Sequence, residues 1–410
     1  MAYLNLFHET GKQRKKRTNG FYSSRHYASI VRHIDLSGLD MRQPVSDEQI
    51  DRLTADCINL ESLDLYNCHY LTNATLTKIL KRSPALKHLY LTGVSEVDVT
   101  SFQQREARNT VRRLQSLDIY LISNFFHCVT PRKIGLLHEL FGSLRFLKLG
   151  DGLYLKDSVA YADIVSCFPS LEHLWLSNSA KPLIHAFLDG CTRLCGLKLA
   201  HCKLDRETTK KLPSQLVSIE IEDCSVQAEG VHELLEYDYR HTTTLGLKRT
   251  RNITDSNMQC ILRRANPRLQ RLYLPSSTTD DILNTVMTYF SSITALSITS
   301  GKISSEALRA LLKTYQGTLT DLELNVAIMD PNDNAISSIL QQWPNPHLRT
   351  LALTEYKMEA EIFRNLPQLY PCLHTLRACF PAGMTGSEIH SVTKNMKYLV
   401  TLKLDLDDRP

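Results

Sequence analysis

The sequence predicts an α/β solenoid, in which each repeat adds one strand to a parallel sheet and one helix beside it. Two observations lead to this prediction. A short frame of apolar residues recurs along the chain at intervals of 22 to 30 residues, and the segments between the frames carry apolar residues at helical spacing. The frame is clearest from Leu60 to Cys68, which reads Leu-Glu-Ser-Leu-Asp-Leu-Tyr-Asn-Cys.

The frame consists of an apolar residue, two variable residues, a second apolar residue, one variable residue and a third apolar residue. This is the strand signature of a leucine-rich repeat. Thirteen frames keep an aliphatic residue at all three positions, whereas the ninth opens with Thr242 and the fourteenth closes with Ala378. The fifteen frames open at Val31, Leu60, Leu86, Leu114, Leu144, Leu171, Leu194, Leu216, Thr242, Leu269, Ile293, Leu319, Leu348, Leu373 and Leu399.

Strand geometry turns this frame into a curved sheet. Side chains alternate along a strand, so Leu63 and Leu65 point to the core while Asp64 points away from it. A helix is wider than a strand, so stacked repeats are longer on the helical side. We therefore expect a horseshoe of about 15 repeats, with the parallel sheet on its concave face and the helices on its convex face.

Three of the intervening segments read clearly as helices, because their apolar residues fall on one face at i, i+3 and i+4. They are Thr72 to Ser83, Asp255 to Arg264 and Ser305 to Tyr315, with Thr72, Thr254 and Ser304 as N-caps. Val94 to Arg113 lacks a clean stripe and is expected to be a weak helix or a loop. Gly150 to Lys156 is expected to project from the rim, and the last strand to be partly exposed or covered by a partner.

Composition places the chain among ordinary soluble proteins. Its 410 residues carry a net charge of +5, which is too mild to indicate nucleic-acid binding. No apolar run is long enough to span a membrane, and the start of the chain lacks a signal-peptide core. The odd number of cysteines, eleven, favours thiols in a reducing compartment. We expect two segments, a basic tail at 1–24 and a repeat domain at 25–410.

The tail contains the basic cluster Lys12 to Arg17. Like charges at this density resist packing, so the tail is expected to be disordered. The cluster is either a nuclear-import signal, a contact for an anionic surface, or simply a solvated tail. A mitochondrial presequence fits less well, because Glu9 interrupts any amphipathic helix. The expected location is the cytoplasm, the nucleus or both.

Outward-facing positions on the concave sheet are the candidate binding residues. Neighbouring strands lie about 4.8 Å apart, so aromatic residues on five strands are expected to form a band about 20 Å wide. Tyrosine and tryptophan are typical interface anchors, although strands also favour exposed aromatics without any function. The candidates in this half are Tyr66, His88, Tyr90, Tyr120, Phe146, Lys148, His173 and Trp175.

The second half of the chain offers a more polar group of candidates. Lys198, Lys248, Arg271 and Tyr273 are expected to face outward near Glu220 and Glu222. The cationic groups suit an acidic or phosphorylated peptide. The glutamates offer an alternative role for them, which is to neutralise these cations.

Patterns typical of catalysis are missing from the sequence. There is no Gly-rich phosphate loop, no Gly-x-Ser-x-Gly elbow and no acid–base pair at useful spacing. Cys191, Cys195, His201 and Cys202 invite a zinc hypothesis. However, Cys191 and Cys202 recur at the repeat positions of Cys57 and Cys68, which favours buried thiols. We expect no enzyme activity, no cofactor and no metal.

The repeats resemble the cysteine-containing leucine-rich-repeat subtype, which carries a cysteine after the helix and another after the strand. The first group is Cys57 and Cys191, and the second is Cys68, Cys202 and Cys224. Tyr27 to Val94 further resembles the first repeats of fungal F-box/leucine-rich-repeat proteins. The matching text is Tyr-Ala-Ser-Ile-Val-Arg-His-Ile-Asp-Leu-Ser-Gly-Leu, then Cys-Ile-Asn-Leu-Glu-Ser-Leu-Asp-Leu-Tyr-Asn-Cys.

Members of that family are substrate receptors of SCF-type ubiquitin ligases, in which an F-box docks a Skp-type adaptor and the repeats hold a target. The segment before Tyr27 is shorter than an F-box and lacks its Leu-Pro-x-Glu opening. The resemblance implies either a truncated member or an F-box-less relative, like the antagonist-of-mitotic-exit-network group. The implied partners are a protein target on the concave face, a Skp-type adaptor and cullin ligase subunits. The alternative is a scaffold or assembly factor unconnected with ubiquitin.

Overall fold

A computed structural model of the chain describes residues 3–4, 30–37, 45–122, 124–150, 155, 159–298, 303–325 and 335–405. The chain divides into two compact units, Met1–Cys202 and Lys203–Pro410. The first unit contains the first seven predicted frames and the second contains the other eight. The basic cluster Lys12 to Arg17 and most of Gly150 to Lys156 lie outside the described residues.

The first unit is built on a parallel sheet whose strands follow chain order. Every strand from the second onward begins two residues after the start of a predicted frame, so the frame predictions are confirmed here. Tyr3–Leu4 pairs with the first of these strands and lies inside the segment expected to be a tail. The strands are β1 Tyr3–Leu4, β2 His33–Asp35, β3 Ser62–Asp64, β4 His88–Tyr90, β5 Ser116–Asp118, β6 Phe146–Gly150, β7 His173–Ser177 and β8 Gly196–Ala200.

Helices of the first unit connect these strands. Ser46 and Thr72 cap two of them, each accepting a hydrogen bond from a backbone N–H in the first turn. The prediction of Thr72 as an N-cap is confirmed. The helices are α1 Asp47–Thr54, α2 Asn73–Arg82, α3 Thr100–Gln103, α4 Arg108–Val111, α5 Ile134–Phe141, α6 Tyr161–Val165 and α7 Lys181–Gly190, with a 3₁₀ turn at Pro131–Lys133.

The segment expected to be irregular, Val94 to Arg113, contains only the short helices α3 and α4. Buried phenylalanines hold it and the following loop against the regular helices. Phe168 lies at the centre, with ring centroids 6.4, 5.6 and 6.2 Å from those of Phe126, Phe141 and Phe187. Aromatic contacts of this kind supply packing that a helical stripe would otherwise provide. The phenylalanine cluster consists of Phe102, Phe125, Phe126, Phe141, Phe168 and Phe187.

The second unit repeats the same plan. Its main sheet is again parallel and in chain order, apart from a separate two-stranded pair, β9 and β11. Each main strand again begins two residues after a predicted frame start. The strands are β9 Lys203–Leu204, β10 Ser218–Glu222, β11 Ser225–Val226, β12 Thr244–Gly246, β13 Arg271–Tyr273, β14 Ala295–Ile298, β15 Asp321–Asn325, β16 Thr350–Glu359, β17 Thr375–Ala382 and β18 Thr401–Asp405.

Helices of the second unit confirm the remaining helix predictions. Thr254 and Ser304 cap their helices as expected. The helices are α8 Arg206–Lys210, α9 Ala228–Glu236, α10 Asp255–Arg264, α11 Asp280–Tyr289, α12 Ser305–Thr314, α13 Ala335–Gln342, α14 Ala360–Leu369 and α15 Gly386–Lys394. No helix in the described part of the chain is long and apolar enough to cross a bilayer.

The core consists of the frame residues of neighbouring repeats, packed against the apolar faces of the helices. Leu60, Leu63 and Leu65 are fully buried, and the exceptional Thr242 is buried too, donating its hydroxyl proton to the carbonyl oxygen of Leu216. In the last repeat, Leu402 and Leu404 are only half-buried, so the expected partial exposure of that strand is confirmed.

Within the described part of the chain, seven strands are followed by a single left-handed residue at the seventh position after the frame start. Asparagine, aspartate, histidine and glycine tolerate this conformation best, and they occupy five of the seven sites. A buried cysteine follows three of them, so the Asn-Cys, His-Cys and Asp-Cys pairs mark a chain reversal and a small core side chain. The sites are Asn67, Gly93, Leu121, Asn178, His201, Asp223 and Arg249, with φ between 47° and 75°.

Candidate partner-binding face of the sheet

The outward side chains of the first unit form three rows that cross the strands, because the repeats pair in register. The central row changes character along its length, from carboxylates at one end to lysines and tryptophan at the other. It consists of Asp35, Asp64, Tyr90, Asp118, Lys148, Trp175 and Lys198. The first row, two residues earlier, consists of His33, Ser62, His88, Ser116, Phe146, His173 and Gly196.

The predicted aromatic band is distributed over these rows instead of forming one line. Phe146 belongs to the first row, and Tyr90 and Trp175 belong to the central row. Tyr66 and Tyr120 lie two residues beyond the central row, in a third row with Gly150. The frame fixes which residues face outward, but the residue type at each row varies freely, so the five aromatic residues occupy three rows on neighbouring strands. Their action as one binding band stays a prediction.

The structure brings four of the predicted residues together. Lys148 Nζ lies 4.8 Å from the ring centroid of Tyr120 and 4.2 Å from that of Trp175, while Lys198 Nζ lies 4.3 Å from the Trp175 ring. Trp175 is thus flanked by two ammonium groups at cation–π distance. We call Tyr120, Lys148, Trp175 and Lys198 the aromatic–lysine cluster.

A carboxylate fixes the lysine at the centre of this cluster. Lys148 Nζ lies 3.0 Å from Asp118 Oδ2, and the two side chains are only 13% and 9% exposed. Asp118 Oδ1 also accepts a hydrogen bond from the backbone N–H of Tyr120 at 2.9 Å. Alternation along the strand places Asp118 on this face, but its role as the counter-ion is not evident from the sequence.

Glycines make room for the rings of the cluster. A Cβ atom on Gly150 would lie 2.1 Å from Tyr120 Cδ2, so the tyrosine ring lies flat over this glycine. His173 lies over Gly196 in the same way, where a Cβ atom would be 2.1 Å from Nδ1. A missing side chain on one strand therefore lets a ring from the preceding strand lie along the sheet.

The other end of the central row is acidic. The pKa of Asp64 is raised to about 6. Burial is the main cause and the neighbouring carboxylates of Asp35 and Asp118 add to it, whereas the backbone N–H of Tyr66 opposes it. Burial also raises the pKa of Tyr90 and lowers that of His88, whose Nδ1 lies 3.0 Å from Ser116 Oγ. Shifted pKa values of this kind are common on functional surfaces.

One cationic candidate of the second unit, Lys248, pairs with a carboxylate that the sequence did not single out. Lys248 Nζ reaches across two strands to Glu323, at 2.6 Å from Oε1, and Ser297 donates to the other carboxylate oxygen. The lysine side chain makes this contact because it spans further than the strand spacing. Tyr273 lies beside Gly246 in the same row, and Arg271 is exposed in the preceding row.

Glu222 pairs with Arg249, a residue that was not among the candidates predicted from the sequence. Arg249 Nη2 lies 2.9 Å from Glu222 Oε1 and 2.6 Å from Asp223 Oδ2. Arg249 occupies one of the left-handed positions, which directs its side chain towards the preceding repeat. A basic residue at that position, one repeat after an Asp or Glu pair, is the sequence signal that identifies this contact.

The cysteines at the recurring positions after helices and strands are core residues. Burial raises the pKa of Cys57 to about 11 and the pKa values of Cys68 and Cys191 to about 12, so these groups remain thiols. Cys202 donates to the carbonyl oxygen of Ala200 at 3.1 Å. The cluster of cysteines and histidine around residue 195 is not among the groups with metal-ligand spacing in the described chain.

The repeats, the parallel sheets and their outward rows define a leucine-rich-repeat solenoid, with an α/β repeat in each unit. Comparison with solved structures agrees with this class. Yeast Rad7, solved in complex with Elc1, gives a TM-score of 0.54 at 12% identity, over 97% of this chain and 94% of that chain. At that identity the similarity concerns the fold alone.

Two further structures align with lower TM-scores. The leucine-rich-repeat-containing protein LegL7 from Legionella pneumophila gives 0.35 at 13% identity, over 83% of this chain and 97% of that chain. TLR13 in complex with ssRNA13 gives 0.37 at 14% identity, over 87% of this chain and 57% of that chain. No protein-family model matches the chain, and no curated protein matches it by sequence.

Proposed function

We propose that this chain is a protein-binding adaptor that holds a protein target on the outward face of the first unit's sheet. The aromatic–lysine cluster is the observation that carries the proposal. Tryptophan and tyrosine at the centre of a surface, ringed by polar side chains, are typical of the residues that dominate binding energy in protein interfaces. Rad7, an approximate structural match, was solved with a protein partner, Elc1.

The charge pattern of the central row indicates which kind of target segment would be complementary to it. Asp35 and Asp64 make one end acidic, whereas Lys148 and Lys198 make the other end basic. A target segment that crosses the strands fits best when it carries a basic residue at the first end and an acidic or phosphorylated residue at the second. Lys148 and Lys198 both lie at cation–π distance from Trp175, so we place the acidic end of the target beside these two lysines.

The test is a comparison of proteins captured by the full chain and by its variants. Trp175→Ala combined with Lys198→Ala should reduce the affinity for the target at least about 30-fold, the loss that corresponds to one binding hot spot of about 2 kcal/mol. Tyr289→Ala is the matched control, because Tyr289 is an aromatic residue on a helix with 47% of its surface exposed. Equal affinity of the double variant and the control for the same purified target contradicts the proposed site.

We further propose that the adaptor serves an SCF-type ubiquitin ligase, as the resemblance at Tyr27 to Val94 suggests. The same capture experiment distinguishes this role from that of a scaffold. A Skp-type adaptor and a cullin that co-purify with the target, and that remain after Trp175→Ala, support the ligase role. A target recovered repeatedly without either subunit contradicts that role and favours the scaffold or assembly-factor alternative.

The proposed location is the cytoplasm, the nucleus or both, on the basis of the cluster Lys12 to Arg17. Imaging a chain labelled at its C-terminus, with and without alanines in the cluster, tests this proposal. Loss of nuclear signal in the alanine variant is the expected result. A mitochondrial signal that persists in both chains excludes it.

A further inference from the structure

We propose that Asp98, His127 and Cys128 form a zinc-binding site in the first unit, independent of the partner-binding face. One potential ligand atom from each residue lies within 4.8 Å of the other two, the one such group among the described residues. The three residues come from two loops one repeat apart. The sequence does not reveal this group, because the carboxylate stands 29 positions before the histidine.

The two loops are joined by the backbone and anchored in the core. The N–H of Val99 donates to the carbonyl oxygen of Phe125 at 2.9 Å, which sets Asp98 beside the turn that carries His127 and Cys128. Phe125, Phe126 and Val129 flank that turn and are at most 1% exposed. A site on such a turn is largely organised before a metal binds.

Neighbouring groups orient two of the three ligands. His127 Nδ1 lies 2.6 Å from the carbonyl oxygen of Asn124. Only the tautomer with a proton on Nδ1 can make this bond, and it leaves the lone pair of Nε2 for a metal. Asp98 Oδ1 accepts hydrogen bonds from the backbone N–H of Thr100, at 2.8 Å, and from the Thr100 hydroxyl. Metal-ligating histidines and carboxylates are held by outer partners of these kinds.

The donor set selects the metal. A thiolate, an imidazole nitrogen and a carboxylate oxygen together suit Zn²⁺, which accepts three protein ligands and a water molecule in a tetrahedron. Ideal zinc bond lengths place such ligand atoms about 3.4–3.6 Å apart. Side-chain rotations at these half-buried and exposed positions need to move the ligand atoms by only about 1 Å to reach those separations. On binding, the Cys128 thiol loses its proton to solvent, so zinc uptake releases one proton.

A purely structural role accounts for only part of this arrangement. Asp98 uses one carboxylate oxygen to cap the turn at Thr100, as an aspartate commonly does before a short helix. That role requires neither the orientation of His127 nor the proximity of Cys128. A zinc site explains why all three donor residues lie together.

The experiment uses the full chain, stripped of metal and titrated with Co²⁺, which replaces zinc and absorbs visible light in four-coordinate sites. We expect one equivalent to produce a thiolate-to-cobalt charge-transfer band, and Zn²⁺ to abolish it. Cys128→Ser should remove the band. Thr100→Val, which removes only an outer hydroxyl, should weaken metal binding about 10-fold.

Cys195→Ser is the matched control. Cys195 Sγ lies 3.8 Å from His173 Nε2, so this is a cysteine–histidine pair outside the proposed site, and its removal should leave the band intact. Circular dichroism of each metal-free variant shows whether it folds, and an unfolded Cys128→Ser is replaced by His127→Gln in the same assay. Absence of a thiolate band at one equivalent, or a band that disappears with Cys195→Ser and survives Cys128→Ser, overturns the proposal.

Discussion

The ion pair within the aromatic–lysine cluster gives a sharp prediction for the variant Lys148→Met. Methionine keeps most of the length of the side chain but removes the ammonium group, which lies 3.0 Å from Asp118 Oδ2. The side chain of Asp118 is 9% exposed, so its charge is left with little solvent. Removing one partner of a buried pair costs about 3–5 kcal/mol, and the slight exposure here favours the lower end, about 3 kcal/mol.

A second substitution separates two contributions to the loss of unfolding free energy: the Asp118 charge left without a partner, and the packing lost with the lysine side chain. Asp118→Asn removes the charge and keeps an oxygen that accepts the backbone N–H of Tyr120. We therefore expect the double variant to lose only about 1 kcal/mol of unfolding free energy. The double variant should therefore be about 2 kcal/mol more stable than Lys148→Met alone, a difference above the usual error of such measurements.

The two tryptophans of the chain allow this measurement on one unit. Trp175 lies in the first unit and Trp343 in the second, so a Trp343→Phe background leaves tryptophan fluorescence from the first unit alone. Urea unfolding then gives the free energy of each variant, and a loss of 3 kcal/mol lowers the melting temperature by about 6–12 °C for a unit of about 200 residues. A double variant as unstable as Lys148→Met alone would falsify the charge argument.

Two further predictions concern stability. Asp64 has a pKa of about 6 in the folded chain, above its ordinary value, so the folded state binds more protons than the unfolded state between about pH 4 and 6, and stability falls as pH rises through that window. Asp64→Asn should therefore raise the urea midpoint at pH 7.5 and have little effect at pH 4, and a midpoint gain independent of pH contradicts the assignment. Phe168→Ala removes the fully buried ring at the centre of the phenylalanine cluster and should cost about 3–5 kcal/mol. Phe168→Leu should cost clearly less, and equal losses in the two variants refute the packing explanation.

The frame was sufficient to predict fifteen of the described strands, but not β1, β9 and β11, which lie outside it. All fifteen begin two residues after a predicted start, because a strand that places leucines at alternate positions has only one face to bury. Helical periodicity likewise located helices such as Asp255–Arg264, where caps and apolar spacing agree. It did not locate the phenylalanine cluster, since Phe102, Phe125 and Phe126 lie in segments that lack a helical period.

The candidate site was predicted only in part. Alternation identified the outward residues, among them Lys148 and Trp175, but not which of them touch. The contact between Lys248 and Glu323 joins residues 75 positions apart, and it depends on side-chain length. Likewise Tyr120 lies over Gly150, a relation that appears only when the two strands are placed side by side.

The left-handed residue after a strand determines where the repeats can differ in length. One residue at φ between 47° and 75° reverses the chain at the same point in seven of the repeats, so the exit from the strand is independent of the connection to the next strand. Steps of 22 to 30 residues are then compatible with one strand register. Insertions and deletions after this reversal should be tolerated, because they only lengthen or shorten the connection. A single residue added between a frame start and the reversal would instead turn the leucines of that strand towards water.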